Sequence, residues 1–277
     1  MKYDELQVYS GSDVIITKDI IVTQPTLREI KEFGEQKYFN AVHTLTSAPA
    51  DLKWQLWDYY NIDYTTIDDY DLFIFYISQA ISSHKHLYND IIKNPNQHQK
   101  EIQTFTQEEI EDLNINPLQL IIKDIDFADF QLMEAILHED NKQVILYNQE
   151  RDITIDRLIY NQLVDVVRRI HGFKRNNEKP ANETTKMDLI DDARDEAMAA
   201  KQKEFKSILR PLVSTMSIKS GNYGDDKIWD ININRFFYDI KKVAKIQDAE
   251  HLLQGAYSGF ASLKGIDKNR LDMFGEV

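Results

Sequence analysis

The chain has 277 residues, 42% hydrophobic and 29% charged, with no cysteine and a formal charge of −13. That balance is globular rather than disordered, and the length exceeds the ~100–200 residues of a typical domain, so two domains are expected. With no cysteine, a disulfide framework and a thiolate metal site are excluded, and a reducing cytoplasm is the expected compartment.

The acidity is uneven. Residues 1–150 hold 11 Lys and Arg against 26 Asp and Glu, a net of −15, and residues 151–277 hold 22 against 20, a net of +2. Such a first half repels phosphate backbones and favours solubility or a basic partner. The N-terminal MKYDELQVYSGSD has no apolar segment flanked by basic residues, so it does not read as a signal peptide. Apolar stretches such as Leu72 to Ile77 fall far short of the ~20 residues of a membrane span, so no membrane role is expected.

Taken in chain order, residues 6–24 read as extended, with a short hairpin turning at Lys18-Asp19. Pro25 ends it, and Thr26 with Glu29 forms a capping box. Leu27, Ile30, Gly34, Tyr38, Ala41, Val42 and Leu45 then recur at helical spacing to about Thr46. Ser47 caps a second helix with Pro49 near its first turn, running to about Tyr60. After a break at Asn61 to Asp63, Thr66 and Asp69 suggest a cap. A long third helix follows, with Ile67, Tyr70, Ile74, Ile77 and Ile81 on its inner face. Residues 94–104 are polar and hold a proline, so they read as a loop. Thr106 and Glu109 cap a short helix.

From Leu118 the pattern changes. LQLII, FQLMEAIL and QVILYNQ read as strands, the last two joined as a hairpin across HEDNK. From Thr154 the chain reads as helical. Ile155, Leu158, Ile159, Leu163, Val166, Val167 and Ile170 form an apolar stripe closed by Gly172. Residues 173–183 form a polar linker. A helix from Thr184 is expected to stop near Leu209, before Pro211 opens the next. GNYGDD (221–226) reads as a turn. Asn232 caps a helix with Ile233, Phe236, Phe237, Ile240 and Val243 inward, and a last helix is expected near 248–256. The fold class is therefore mainly α with a minor β part (α+β). Residues 1–150 form an acidic lobe of helices plus short antiparallel strands, and residues 151–277 an all-helical lobe.

No catalytic motif emerges. No Gly-rich phosphate loop and no G-x-S-x-G is present, and no cysteine nucleophile is available. His84 and His86 are two apart on a helix and point to different faces, and His98 lies in the next loop, so solvated histidines are a better reading than a metal site. Asp68, Asp69, Asp71, Asp124, Asp126 and Asp129 offer carboxylate pairs, but without EF-hand spacing they fit helix starts and solvated faces. Arg168, Arg169, Lys174 and Arg175, with Phe173 able to stack, make a basic cluster suited to phosphate or RNA. The plainer reading is a helix C-terminus, where cations complement the macrodipole. Trp54 and Trp57 sit three apart on the second helix, with Leu52, Leu56 and Tyr59 inward. They serve either as core or as an anchor for a protein partner.

Several stretches carry a resemblance. IVTQPTLREIKEFGEQKYFNAVHTLTSAPADLKWQLWD and IDYTTIDDYDLF, then ITIDRLIYNQLVDVVRRIHGFKRN and NETTKMDLIDDARDE, and finally DIKKVAKIQDAEHLLQGAYSGFASLKGID are similar to one group of phage proteins. That group is encoded in the structural and tail-morphogenesis gene block of long-tailed phages and prophages of Gram-positive bacteria. The resemblance implies a non-enzymatic accessory protein of the tail-assembly-chaperone kind. It would need no cofactor and would coat the helical tape measure protein until tail-tube subunits assemble. No family motif fixes binding residues. The alternatives are a permanent virion tail or connector component, a nucleic-acid-binding accessory protein using the basic cluster, and a DNA mimic on the acidic lobe. Homo-oligomers are compatible with all of these.

Overall fold

The computed structural model describes residues 4–94, 106–138, 141–201, 203–220, 226–260 and 262–277. The first element corrects an expectation. Residues 5–10 are not extended but form helix α1 (Glu5–Ser10). The Asp4 carboxylate accepts the Leu6 N–H, and Gly11, at φ 87°, stops the helix after burying Val8. The hairpin begins only at β1 (Val14–Ile15), which pairs antiparallel with β2 (Ile21–Val22).

The Thr26–Glu29 capping box is present: Thr26 accepts the Glu29 N–H, and Glu29 accepts the Thr26 N–H at 2.7 Å. The helix it opens is divided. Gly34 adopts φ 103°, ψ 112° between α2 (Leu27–Phe33) and α3 (Glu35–Thr46), a conformation that costs glycine nothing. A 3-10 turn (Pro49–Leu52) leads into α4 (Lys53–Tyr60), which Asn61 ends in the left-handed region. The third helix starts two residues later than expected, at Asp69, with Asp68 rather than Thr66 as its cap. Asp68 accepts the N–H groups of Tyr70 and Asp71. It then runs as α5 (Asp69–Leu72), a π-helical turn (Phe73–Ile77) and α6 (Ser78–Lys93). Tyr70, Phe73, Ile77 and Ile81 are buried on its inner face, and Ile74, expected there, is half-buried against the same core.

After α7 (Gln107–Asp112), residues 118–122 are not a strand. Asn116 accepts the Leu118 N–H, and the Ile121 and Ile122 N–H groups both turn back to the Leu118 carbonyl. An isolated antiparallel bridge, Val22 to Ile122, ties the segment to β2. The apolar run is buried all the same, because a compact turn hides Leu118, Ile121 and Ile122 as well as a strand would. The hairpin β3 (Gln131–His138) and β4 (Asn141–Asn148) forms as read. A third strand, β5 (Ile153–Ile155), adds to β4 where a helix was expected to begin. The all-helical stretch thus begins at α8 (Arg157–His171), capped by Asp156 and closed by Gly172 at φ 66°. Leu158, placed on the inner stripe by spacing, is exposed.

The later helices also differ in their limits. α9 spans Glu183–Lys201, short of Leu209, and α10 (Leu209–Ser220) begins before Pro211. The cause is a cap supplied from elsewhere. Glu35, at the start of α3, accepts the N–H groups of Ile208 and Leu209 at 2.6 and 2.8 Å and the Ser207 hydroxyl at 2.6 Å. Pro211 then sits in the first turn, where its missing donor is no loss. Replacing Glu35 with alanine should lower stability by about 1–2 kcal/mol, read as a shift in the urea midpoint. Most of the expected turn at 221–226 lies outside the described residues. Asn232 caps α11 (Ile233–Tyr257), which is one continuous helix of 25 residues rather than two. Nothing in Val243 to Asp248 breaks helical geometry. A short α12 (Lys268–Leu271) lies along it, tied by Arg270 to Asp248.

The fold is mainly α with a minor β part. One apolar core runs through it and takes side chains from both sides of residue 150. Phe73 stacks on Tyr160 with ring centroids 4.2 Å apart and meets Phe127 edge-on, contacts worth about 0.5–1.5 kcal/mol each. Tyr38 from α3 and His171 from α8 are buried against each other. Residue 150 itself falls between two strands of one sheet. No helix of the described residues is long and apolar enough to cross a membrane.

Candidate interaction surface

The acidic and basic clusters singled out in the sequence meet each other. Asp68, Asp69 and Asp71 lie at the N-terminus of α5, where carboxylates suit the helix dipole. The Asp69 carboxylate accepts two bonds from Arg175, at 2.9 and 2.7 Å, and one from Arg168 at 3.4 Å. Arg168, whose side chain is 9% exposed, also donates to the Thr46 carbonyl at 3.2 and 2.6 Å, satisfying an otherwise unpaired acceptor at the end of α3. Arg157 pairs with Asp68 and Asp71 and lies over the Tyr70 ring. The bond to Asp69 pushes the Arg175 guanidinium further above its ordinary range.

This pattern recurs. Arg194 of α9 forks onto Asp58 of α4 and holds its carboxyl below the usual range, and Lys186 reaches Asp63 at 2.6 Å. Glu5, Asp58, Asp63, Asp68, Asp69 and Asp71 of the first half thus pair with cations of the second, and part of the charge asymmetry becomes an attachment between them. Arg169 contacts Glu5 at 3.4 Å, while Lys174 is exposed. Of the basic cluster, Arg168 and Arg175 are thus directed inward at Asp69 rather than outward at a polyanion.

The histidines diverge as expected. His84 makes a short contact through Nδ1 with the Ile81 carbonyl, 2.6 Å away, which makes Nδ1 the protonated nitrogen. His86 is exposed, and His98 lies outside the described residues. Among the described residues no group of three or more His, Asp or Glu converges on a metal position. Asp126 and Asp129 pair with Lys85 instead.

Trp54 and Trp57 are half-buried against the core. Lys186 lies 5.5 Å from the Trp57 ring centroid, and Trp54 meets Tyr59 edge-on at 5.4 Å. Tyr59 was expected inward. It is 66% exposed, because α4 ends one residue later and the core contact is made by Leu56. Beside it lie Tyr60, 43% exposed, and Phe75, 37% exposed, with centroids 4.9 Å apart, and Tyr76 at 5.9 Å from Tyr60. Phe75 lies off the inner face of the third helix and meets Tyr60 from there. The local run Asp58-Tyr-Tyr60 with Phe73 to Tyr76 was the signal that could have found this aromatic patch.

Tyr76 belongs to a second feature. It lines a groove of about 440 Å³ between α3, α6 and the segment after α7, together with Phe33, Ala41, Leu52, Ile81 and Leu113. Tyr76 links the patch to this groove, whose lining also holds Lys37, Asn40, Thr44, Ser47, His84 and Asp112. A groove of about 580 Å³ elsewhere, between α1, the end of α8 and α11, has lysine, arginine and glutamate in its lining. The 275–276 backbone runs along its edge, held by Lys242 and Lys245.

Residues 200–270, about a quarter of the chain, match the family model described as the YomV second domain. YomV is a phage-region protein of Bacillus, so the match is consistent with a phage-associated protein. No curated protein and no solved structure matches the chain. The matched residues comprise α10, all of α11, which is the longest helix among the described residues, and most of α12. Beyond Phe236 the single buried side chain among the described residues is Ala249, while Tyr257 and Phe260 are almost fully exposed.

Proposed function

We propose that this chain is a non-enzymatic phage tail-assembly factor. It works in the host cytoplasm by protein–protein contact, holding a helical segment of a tail protein such as the tape measure. The observation that carries this reading is the exposed aromatic patch of Tyr59, Tyr60 and Phe75, joined through Tyr76 to the groove beside it. Exposed aromatic clusters on soluble chains mark partner sites, and a groove walled by helices suits the apolar face of another helix. The phage association of the YomV domain and the resemblance of the wider sequence to tail-morphogenesis proteins support the same reading.

The test is co-expression with fragments of a phage tape measure protein. A soluble complex is expected with the native chain. With Tyr59→Ala, Tyr60→Ala and Phe75→Ala combined, the fragments should return to the insoluble fraction while the chain itself stays folded. Fragments that remain insoluble beside the native chain would remove the main support. Mass spectrometry of purified particles separates a chaperone, which leaves the assembled tail, from a permanent tail component, which stays.

A further inference from the structure

We propose that residues 275–277 are a displaceable strap across the groove between α1, the end of α8 and α11, and that the groove takes an acidic peptide segment of a partner in the strap's place. What the groove holds now shows what it recognises. The Asp272 carbonyl accepts the Gly275 N–H, which turns the chain back along α11. Lys242 then donates to the Gly275 carbonyl at 2.7 Å, Lys245 to the Glu276 carbonyl at 2.5 Å, and the Tyr238 hydroxyl to the Glu276 carboxylate at 3.2 Å. Two of these bonds grip the backbone and one reads an acid, so a foreign segment with a carboxylate at that place can make all three. The strap adds little apolar contact: Phe274 is 95% exposed and Val277 44%. Bonds to an exposed segment give little net stability, because water offers the same partners. Leu6, itself exposed, and the half-buried Phe237 line the groove and leave apolar surface for a longer segment. Charge decides the partner. Arg169 and Glu5 answer each other at 3.4 Å, Asp239 is bonded to Tyr9 and Arg235, and Asp248 to Arg270. Lys241, in the lining, has no carboxylate within ion-pair distance among the described residues. With the strap lifted, Lys241, Lys242 and Lys245 stand at the groove and its edge without a matching acid. An acidic segment complements them, and a basic one is repelled.

The experiment uses the full chain and two labelled, amidated peptides, one with the sequence of residues 272–277 and one with glutamine in place of both its acids. Affinity is read by fluorescence anisotropy. Glu276→Lys removes the acceptor of Tyr238 and sets a like charge beside the lysines. Gly275→Val frees the strap independently, because a Cβ there would lie 2.6 Å from the Asp272 carboxylate and 3.0 Å from Lys245 Nζ. Both variants should bind the acidic peptide at least ~10-fold tighter than the native chain, since a seated strap lowers the fraction open to the peptide. Lys242→Ala with Lys245→Ala, added to Glu276→Lys, should abolish that gain. The glutamine peptide should bind the Glu276→Lys chain at least ~5-fold more weakly than the acidic one. Equal affinity of the native and both freed chains would overturn the proposal, because the strap would then not compete. So would equal affinity of the two peptides, binding that survives the loss of both lysines, or no binding by any chain. A native dimer that Glu276→Lys dissolves would make a second copy's strap the occupant, and single-stranded RNA that displaces the acidic peptide at lower concentration would make it a polyanion; either result overturns the proposal. None of these residues belongs to the aromatic patch, so this reading and the proposed function can fail separately.

Discussion

Replacing Asp69 with asparagine should lower the unfolding free energy by about 3 kcal/mol, the low end of what breaking a buried ion pair costs. The substitution keeps the shape of the side chain and removes its charge. Arg175 is half-exposed and recovers water, so its share of the loss is small. Arg168 does not have that option. Its side chain is 9% exposed, and without Asp69 its charge is left with the Thr46 carbonyl as its one remaining partner of those described. The effect should therefore reside in Arg168. Arg175→Gln alone should cost under ~1 kcal/mol. In the double variant Asp69→Asn with Arg168→Met, part of the loss should be regained, because no charge is then left buried. Urea unfolding of the three variants checks this. A loss after Arg175→Gln as large as after Asp69→Asn would show that the cluster is held by its exposed arm, contrary to this account.

The second large effect is on acid stability. His171 is buried between α3 and α8. Its Nδ1 lies 2.7 Å from the Val167 carbonyl, so that nitrogen carries the proton, and Nε2 accepts the Tyr38 hydroxyl at 2.6 Å. Burial lowers its pKa from 6.5 to about 4 and raises that of Tyr38 above the usual tyrosine range. Below pH 6.5 the unfolded chain gains a proton at this position that the folded chain refuses. Stability is thus fully present above pH 6.5 and declines as pH falls toward 4, where the folded imidazole also titrates. A shift of this size corresponds to about 3 kcal/mol over that window. His43, lowered by its own burial, acts in the same direction just below pH 6.5. Carboxylates held low by arginine, such as Asp58 and Asp248, lose their contribution only below their ordinary value of 3.8, so the two windows are separable. Unfolding free energies at pH 7.5, 6.5, 5.5 and 4.5 should fall steeply across the lower values, about pH 4–6.5. In Tyr38→Phe with His171→Leu the slope in that range should flatten. An unchanged slope would assign it to other groups.

Local chemistry was legible in the sequence wherever one residue suffices. Thr26, Asn232 and Gly172 do at their helix ends what their side chains, or the lack of one, predispose them to do. The helical stripe of α8 was legible as well, because a wide apolar face over four turns has no alternative reading. What failed depended in part on partners far along the chain. The early start of α10 requires Glu35, some 170 residues away, which no local pattern announces. LQLII is apolar enough for a strand or a buried turn, and Asn116 decides for the turn. β5 is three residues long and forms because β4 has an open edge beside it.

The site was less legible than the fold. The acidic and basic clusters were visible as separate features, each with an outward-facing interpretation. Their mutual pairing through Asp69 is tertiary information. Trp54 and Trp57 drew attention as the largest side chains of α4, yet the more exposed rings are Tyr59 and Tyr60 next to them. Phe75 was already off the inner face read for the third helix, and its meeting with Tyr60 is a tertiary contact that spacing does not show.

The central claim is that the surface formed by Tyr59, Tyr60, Phe75 and the adjoining groove holds a helical tail protein. Photo-cross-linking tests it most directly, with a benzophenone side chain installed in turn at positions 60, 75, 169 and 175 and the chain co-expressed with tape measure fragments. The account predicts covalent capture of the fragments from positions 60 and 75 and none from 169 and 175. Capture from 169 or 175, with none from 60 and 75, would place the partner on the other half of the molecule and contradict it.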